Sequence, residues 1–244
     1  MTSTSPNPDT PNAVASTEDF EFAALWEARN YRNAIVEEFR EHLRGEVIEV
    51  GCGIGQMSME FLALKEVSKL TCIEPDSRFA EQHRQMISGA ALIEGTAADL
   101  PVGFSADAIV SINVLEHIRE DVAELAMYRE LLAARSGHLC LLVPARPELY
   151  SPLDADFGHF RRYTRGELRS KIEGAGFRVV KLHYFNSIGY LAWLLSFKMM
   201  RKRSFDIKQV RFYDRVIFPV MNRIERSLVR PPLGQSLVVI AKAV

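Results

Sequence analysis

The residues able to do chemistry fall into two groups. The first is a glycine loop. Glu49-Val-Gly-Cys-Gly-Ile-Gly55 puts Gly51, Gly53 and Gly55 at alternate positions, between the apolar run EVIEV at 46–50 and a helical pattern beginning at Gln56. Glycine lets a chain turn tightly and approach a bound molecule closely, and the helix that follows offers unpaired N–H groups to it. Two familiar patterns do not fit. Gln56 stands where a G-x-G-x-x-G dinucleotide loop needs its last glycine, and no Gly-Lys-Ser/Thr follows, as a triphosphate loop would require. Glu74 ends the second apolar run, 19 residues after Gly55. A carboxylate there can accept both hydroxyls of a ribose. Asp99, in Ala-Ala-Asp-Leu after the third run, is placed to meet an adenine amino group, and Asn113 closes the fourth run.

The second group is the stretch from Pro144 to Thr164, which holds Tyr150, Asp154, Asp156, His159, Arg161, Arg162 and Tyr163. A loop this dense in titratable groups is a site candidate. His159 is the leading candidate for a general base, because imidazole titrates near neutral pH. Tyr150 and His117 are further catalytic candidates. Glu116 and His117, in Val-Leu-Glu-His-Ile, suit either proton abstraction or a structural role. Arg161 or Arg162 could hold a carboxylate or phosphate of an acceptor; alternatively they pair with Asp154 and Asp156 to fix the loop. Asp154, Arg161, Arg162, Tyr163, Tyr190 and Trp193 form the candidate acceptor-binding set. Cys52, Cys72 and Cys140 are odd in number and lack C-x-x-C spacing, so neither a disulfide framework nor a metal site is expected.

Alternating elements must position these groups. The pattern predicts strands at 46–50, 70–73, 90–94, 108–112, 138–143, 177–185 and 237–241. It predicts helices at 20–43, 56–64, 77–87 with Ser77 as cap, 121–132, and 164–175 with Thr164 and Glu167 as a capping box. Strongly apolar strands alternating with helices indicate an α/β fold, a parallel sheet covered on both faces. Lys plus Arg (30) and Asp plus Glu (31) nearly cancel, so no whole-protein electrostatic grip on nucleic acid is expected. The termini and the apolar runs contain neither a secretory signal nor a spanning segment, so a cytoplasmic protein is expected.

Residues 1–18 read as a disordered tail, leaving 19–244 as one domain. Residues 187–233 form a helical insert before the last strand. From Ser196 to Arg230 it carries ten Lys/Arg against three Asp/Glu. Tyr190, Trp193, Leu194 and Phe197 share a helical face that runs into Lys198, Arg201, Lys202 and Arg203. That pattern suits an interfacial helix on a membrane surface, over 187–230, a lid packed on a site, or a dimer interface. Met199, Met200 and Met221 read as packing residues.

VIEVGCGIG, CIEPD, GTAADL and DAIVSINVLEHI together resemble the successive motifs of class I S-adenosylmethionine-dependent methyltransferases, over residues 20–244. The resemblance implies a doubly wound, seven-stranded, mostly parallel Rossmann-like sheet with the last strand antiparallel. It implies S-adenosylmethionine as cofactor, its methionine part on Gly51, Cys52, Gly53 and Gly55 behind Glu49. The ribose falls to Glu74 beside Pro75, the adenine to Asp99 and Leu100, and Asn113 and Val114 complete the set. The implied reaction is methyl transfer to a hydroxyl, amine or carboxylate of a small-molecule or lipid-like acceptor. A non-catalytic scaffold of the same fold and a nucleic-acid methyltransferase are the alternatives. The latter is disfavoured by Asn113-Val-Leu-Glu, which lacks the Pro-Pro-aromatic run of base-amino methyltransferases. LDADFGHFRRYT, YFNSIGYLAW and PPLGQSLVVIAKA are further similar to a bacterial subgroup often encoded near, or fused to, glycosyltransferases of lipid-linked sugars.

Overall fold

The computed structural model describes residues 24–204, 206–227 and 231–244. The expected tail at 1–18 and the start of the first helix lie outside them. In chain order the elements are α1 Arg29–Phe39, β1 Gly45–Val50, α2 Gln56–Leu62, β2 Val67–Glu74, α3 Ser77–Met86, β3 Ala91–Glu94, β4 Ala108–Ile112, α4 Asp121–Ala133 and β5 His138–Pro144. Then come α5 Pro152–Asp156, α6 Arg165–Gly174, β6 Phe177–Phe185, α7 Ser187–Trp193, α8 Ile207–Phe212, α9 Phe218–Ser227 and β7 Ser236–Ala243. Two π-helical stretches continue α7 (Leu194–Met199) and join α8 to α9 (Tyr213–Ile217).

The seven strands form one sheet in the order β3-β2-β1-β4-β5-β7-β6, and only β7 runs antiparallel to its neighbours. Strand geometry sends alternate side chains to opposite faces. Leu139 and Leu141 therefore pack with Leu125, Tyr128 and Leu132 of α4, whereas Cys140 and Leu142 join Ile35 and Phe39 of α1 and Phe61 of α2. All three cysteines are buried as free thiols.

One local reading changes. The cap of α3 is Asp76, whose carboxylate accepts the Arg78 N–H at 2.8 Å, and Ser77 is its first helical residue. An extended residue with a short carboxylate suits the N-cap. At α6, Thr164 caps as expected and accepts the Glu167 N–H at 3.2 Å. Between β6 and β7 the chain is helical, as the pattern predicts. Trp193 and Phe197 are buried against Leu149, Leu153 and Phe157, with Tyr190 and Leu194 packed on that cluster. The opposite side, including Met199 and Met200, is exposed. Of the readings of this face, the packed one holds for Tyr190, Trp193, Leu194 and Phe197, because α5 and its flanks supply an apolar partner that helical periodicity alone does not reveal.

Candidate active site

The strand order reverses between β1 and β4, and ligands of open α/β sheets bind in the crevice beyond the carboxyl ends at such a point. The loop after β1 enters this crevice. Gly51 and Gly53 have φ of +70° and +53°. A Cβ on Gly51 would lie 2.3 Å from Cγ2 of Val114, the second residue after β4, so the approach of the two loops requires glycine. Asn113 beside it also has positive φ, +53°, a conformation asparagine tolerates.

Glu74, at the end of β2, is buried and organises the loop. Its carboxylate accepts the Gly53 N–H at 2.8 Å through Oε2 and the Asp76 N–H at 3.0 Å through Oε1. Beneath the loop, Glu49 Oε2 accepts the Ser58 hydroxyl at 2.6 Å, and Ser58 Oγ lies 3.1 Å from His83 Nε2. Burial pushes the Glu49 carboxyl up to about 7, although Ser58 and Cys72 hydrogen-bond to it, and Glu74 adds repulsion. Ser58 and His83 were not singled out in the sequence; a serine or histidine within a helical pattern carries no signal of its own. Asp99 is exposed and its Oδ2 accepts both the N–H and the hydroxyl of Thr96, at 2.7 and 2.9 Å. Pro75 is exposed, while Cys52 and Leu100 are buried.

Next to this loop a cavity of about 1030 Å³ opens beyond the ends of β4, β5 and β6. Its wall includes Asn113, Glu116, His159, Arg162, Asn186 and Trp193. Asn113 thus lines the cavity while its neighbour Val114 meets the glycine loop. His159 is buried, and its Nδ1–H donates to Asp154 Oδ1 at 3.1 Å. A carboxylate on Nδ1 fixes the neutral tautomer with its lone pair on Nε2. Nε2 makes no hydrogen bond among the described residues and lies 3.9 Å from Glu116 Oε1. Asp154 also accepts Arg162 Nε at 2.6 Å, and its Oδ2 accepts the N–H and hydroxyl of Ser151. Burial works against the Asp154 carboxylate, but the bonds from His159 and Arg162 outweigh it and hold its pKa below the usual range. The Arg162 guanidinium stacks 4.4 Å from the Trp193 ring centre.

The fold draws together only part of the expected acceptor set. His159, Arg162 and Trp193 line the cavity, with Asp154 directly behind them. Arg161 turns away to Asp121 at 2.7 Å and the Arg119 carbonyl at 2.8 Å. Tyr163 is fully buried and donates to Asp121 at 3.0 Å. Tyr190 packs beside Arg146, and the Tyr150 hydroxyl donates to the His159 carbonyl at 2.7 Å. Of the two expected loop pairs, Arg162–Asp154 forms, but Asp156 pairs with Arg203 instead of Arg161. The His117 ring meets His159 edge-on at 4.6 Å, and desolvation followed by repulsion from His159 lowers its pKa to about 4.

Two clusters bring metal-ligand residue types within reach of one another. They are Cys52, Cys72 and His83 beneath the glycine loop, and Glu116, His117 and His159 at the cavity. In each, the ligand atoms lie within 4.8 Å of one another. Spacing along the chain shows neither, because each is assembled from separate elements.

A family model described as a methyltransferase domain matches residues 23–182. The chain belongs to that family. The match ends within β6, so the helices of the methyltransferase that follow, and β7, lie beyond it. No protein of curated function matches by sequence. Among solved structures, an S-adenosylmethionine-dependent methyltransferase from Mesorhizobium loti is 13% identical with a TM-score of 0.55, over 82% of this chain and 92% of that one. Magnesium protoporphyrin IX methyltransferase from Synechocystis PCC 6803, solved with bound S-adenosylmethionine, is 12% identical with a TM-score of 0.53, over 96% and 87%. The plantazolicin methyltransferase, solved with a triazolic desmethyl-plantazolicin analogue and S-adenosylhomocysteine, is 14% identical with a TM-score of 0.59, over 93% and 88%. At these identities the likeness shows the fold, the seven-stranded Rossmann-like sheet with one antiparallel strand.

The loop of this methyltransferase fits an adenosyl cofactor. The loop presents bare backbone at positions 51, 53 and 55, where a Cβ on Gly51 would collide with Val114, and the buried Glu74 carboxylate stands against it.

Proposed function

We propose that the chain transfers a methyl group to a hydroxyl, amine or carboxylate of a small-molecule or lipid-like acceptor held in the cavity between β4, β5 and the helices after β6. One observation carries this reading. His159 presents Nε2, in the tautomer set by Asp154, to a large cavity lined by Asn113, whose neighbour Val114 meets the glycine loop.

S-adenosylmethionine is the methyl donor: when bound, it supplies an electrophilic methyl on a sulfonium and a neutral thioether as leaving group. Gly51, Gly53 and Gly55 would hold its methionine part, Glu74 its ribose, and Asp99 with Leu100 its adenine. The remaining work is alignment, exclusion of water and removal of a proton. His159 Nε2 takes the acceptor proton, and Asp154 stabilises the imidazolium that results. Arg162, whose charge Asp154 balances, and Trp193 shape the wall against which the acceptor lies. The apolar residues of that wall, Phe157, Trp193, Phe197 and Phe212, favour an acceptor with an apolar body. The loop 153–164 also supports the bacterial subgroup that its sequence resembles.

The test uses radiolabelled S-adenosylmethionine with an extract of the host, partitioned between butanol and water. Label in butanol supports a lipid-like acceptor, and label in water a polar one. Cofactor binding with no transfer into either phase would overturn the catalytic reading in favour of a scaffold.

A further inference from the structure

Two stripes of apolar side chains lie exposed on the helices between β6 and β7. On α7 and its π-helical continuation, Leu191, Leu195 and Met199 recur every four residues and are 49%, 53% and 66% exposed. The other side of the same helix, Trp193 and Phe197, is buried on the cavity wall. From the end of α8 through α9, Phe212, Val216, Val220 and Ile224 recur at the same interval and are also exposed. There too the opposite side is occupied, because Phe218 packs on Tyr31 and Phe185. A helix apolar on two sides has a second face to cover. The helices are neighbours: α7 packs on α9, and Glu225 accepts the Ser187 N–H at 2.8 Å.

The charge around the stripes is mostly positive. Residues 198–226 hold nine Lys/Arg and three acids. Two of the acids are used inside the fold. Asp214 accepts the N–H groups of Asn30 and Tyr31 at 3.0 and 2.9 Å, capping α1, and Glu225 holds Ser187. Arg201, Lys202, Lys208, Arg223 and Arg226 form no ion pair among the described residues and are exposed. Lys202, Arg203 and Lys208, in and next to the segment joining the two helices, also line the cavity.

We propose that this face docks on an anionic lipid bilayer, with the cavity rim against the membrane, so that the acceptor enters from the lipid. Apolar stripes framed by cations suit the boundary between acyl chains and anionic headgroups. A second copy would set two basic surfaces against each other. No helix among the described residues is long and apolar enough to cross a membrane, so the contact is peripheral. The inference rests on the lipid-like reading of the acceptor, and deepens it by naming the surface that supplies it.

The test is sedimentation of the full-length protein with vesicles of phosphatidylcholine, alone or with phosphatidylglycerol, alongside calorimetric binding of S-adenosylhomocysteine. Pelleting with the phosphatidylglycerol vesicles, weakened by salt, is expected. The pair Leu195→Glu with Val216→Glu should cut it at least about tenfold, as should Arg201→Glu with Arg223→Glu, each roughly one headgroup interaction per side chain. Unchanged nucleoside binding in these variants shows that the fold survives. Protein that binds S-adenosylhomocysteine but stays in the supernatant with every vesicle overturns the docking surface and leaves the methyl-transfer reading standing. Pelleting without nucleoside binding does the reverse. A dimer that Leu195→Glu splits, with no vesicle binding, assigns the face to a second copy and overturns the proposal.

Discussion

Asp154 holds His159 from behind, its Oδ1 accepting the imidazole Nδ1–H at 3.1 Å while the opposite ring nitrogen faces the cavity. The same oxygen accepts Arg162 Nε at 2.6 Å, so one carboxylate sets a tautomer and balances a buried cation. In its proposed role as base, the ring is oriented before an acceptor arrives, and that role would be lost if the imidazole alone were removed.

His159→Ala should therefore lower kcat by about 100-fold or more, the usual contribution of a positioned base. The affinity for S-adenosylhomocysteine should not change, since the ring lies on the acceptor side. A kcat loss below threefold would reduce His159 to a structural residue.

Asp154→Ala should cost more than activity. It strands the guanidinium of Arg162, which is buried, and breaking one side of a buried ion pair costs about 3–5 kcal/mol. The melting temperature should fall, and the double variant Asp154→Ala with Arg162→Met should recover part of the loss. If the single variant melts with the wild type, the pair does not stabilise the loop.

Glu74→Ala should weaken S-adenosylhomocysteine about ten- to hundredfold in calorimetry, because a hydrogen bond to a charged group contributes about 1.5–3 kcal/mol. The Gly53 N–H loses its acceptor in the same variant, so the glycine loop loosens as well. Unchanged affinity would move the ribose elsewhere.

Glu49 gives a pH dependence of known sign. Its folded pKa, about 7, lies above the ordinary value of 4.5 because the group is buried. Between those values the folded state keeps a proton that the unfolded state releases. The stability Glu49 contributes is thus complete below about 4.5 and is lost as pH rises through about 7. Urea unfolding over this range should show stability decreasing with pH more steeply in the wild type than in Glu49→Gln. Equal slopes in the two proteins would refute the assignment.

Asp214→Ala should detach the helices after β6 from α1. It leaves the Asn30 and Tyr31 N–H groups without their acceptor, and loss of a cap costs about 1–2 kcal/mol. Limited proteolysis between α8 and α9 should accelerate, with cofactor affinity retained. An unchanged cleavage pattern would show that the contact does not hold the helices down.

The sheet, and the glycine turn and strand-end acid of the proposed cofactor site, were legible in the chain. Alternating strands, the glycines at 51, 53 and 55, and an acid at the end of the second strand are local features. Each reflects backbone geometry or the reach of one residue, and the strands at 108–112 and 177–185 fall where the pattern sets them. Strand ends and caps were less legible, as Asp76 and Ser77 illustrate, since a cap depends on dihedral angles that two adjacent polar residues do not distinguish.

The proposed acceptor half was decided by tertiary packing. Residues 153–164 announced a site by composition, yet Arg161 and Arg162, one position apart, go to opposite partners, Asp121 and Asp154. Only the path of the backbone selects between them. His159 meets Glu116 across 43 positions, and Asp214 caps α1 across 184. Helical periodicity found an apolar stripe through Tyr190, Trp193 and Phe197, but it could not reveal that α5 covers it and leaves Leu191, Leu195 and Met199 in the open. Periodicity reports which residues share a side of a helix; what lies against that side is set by elements distant in the chain.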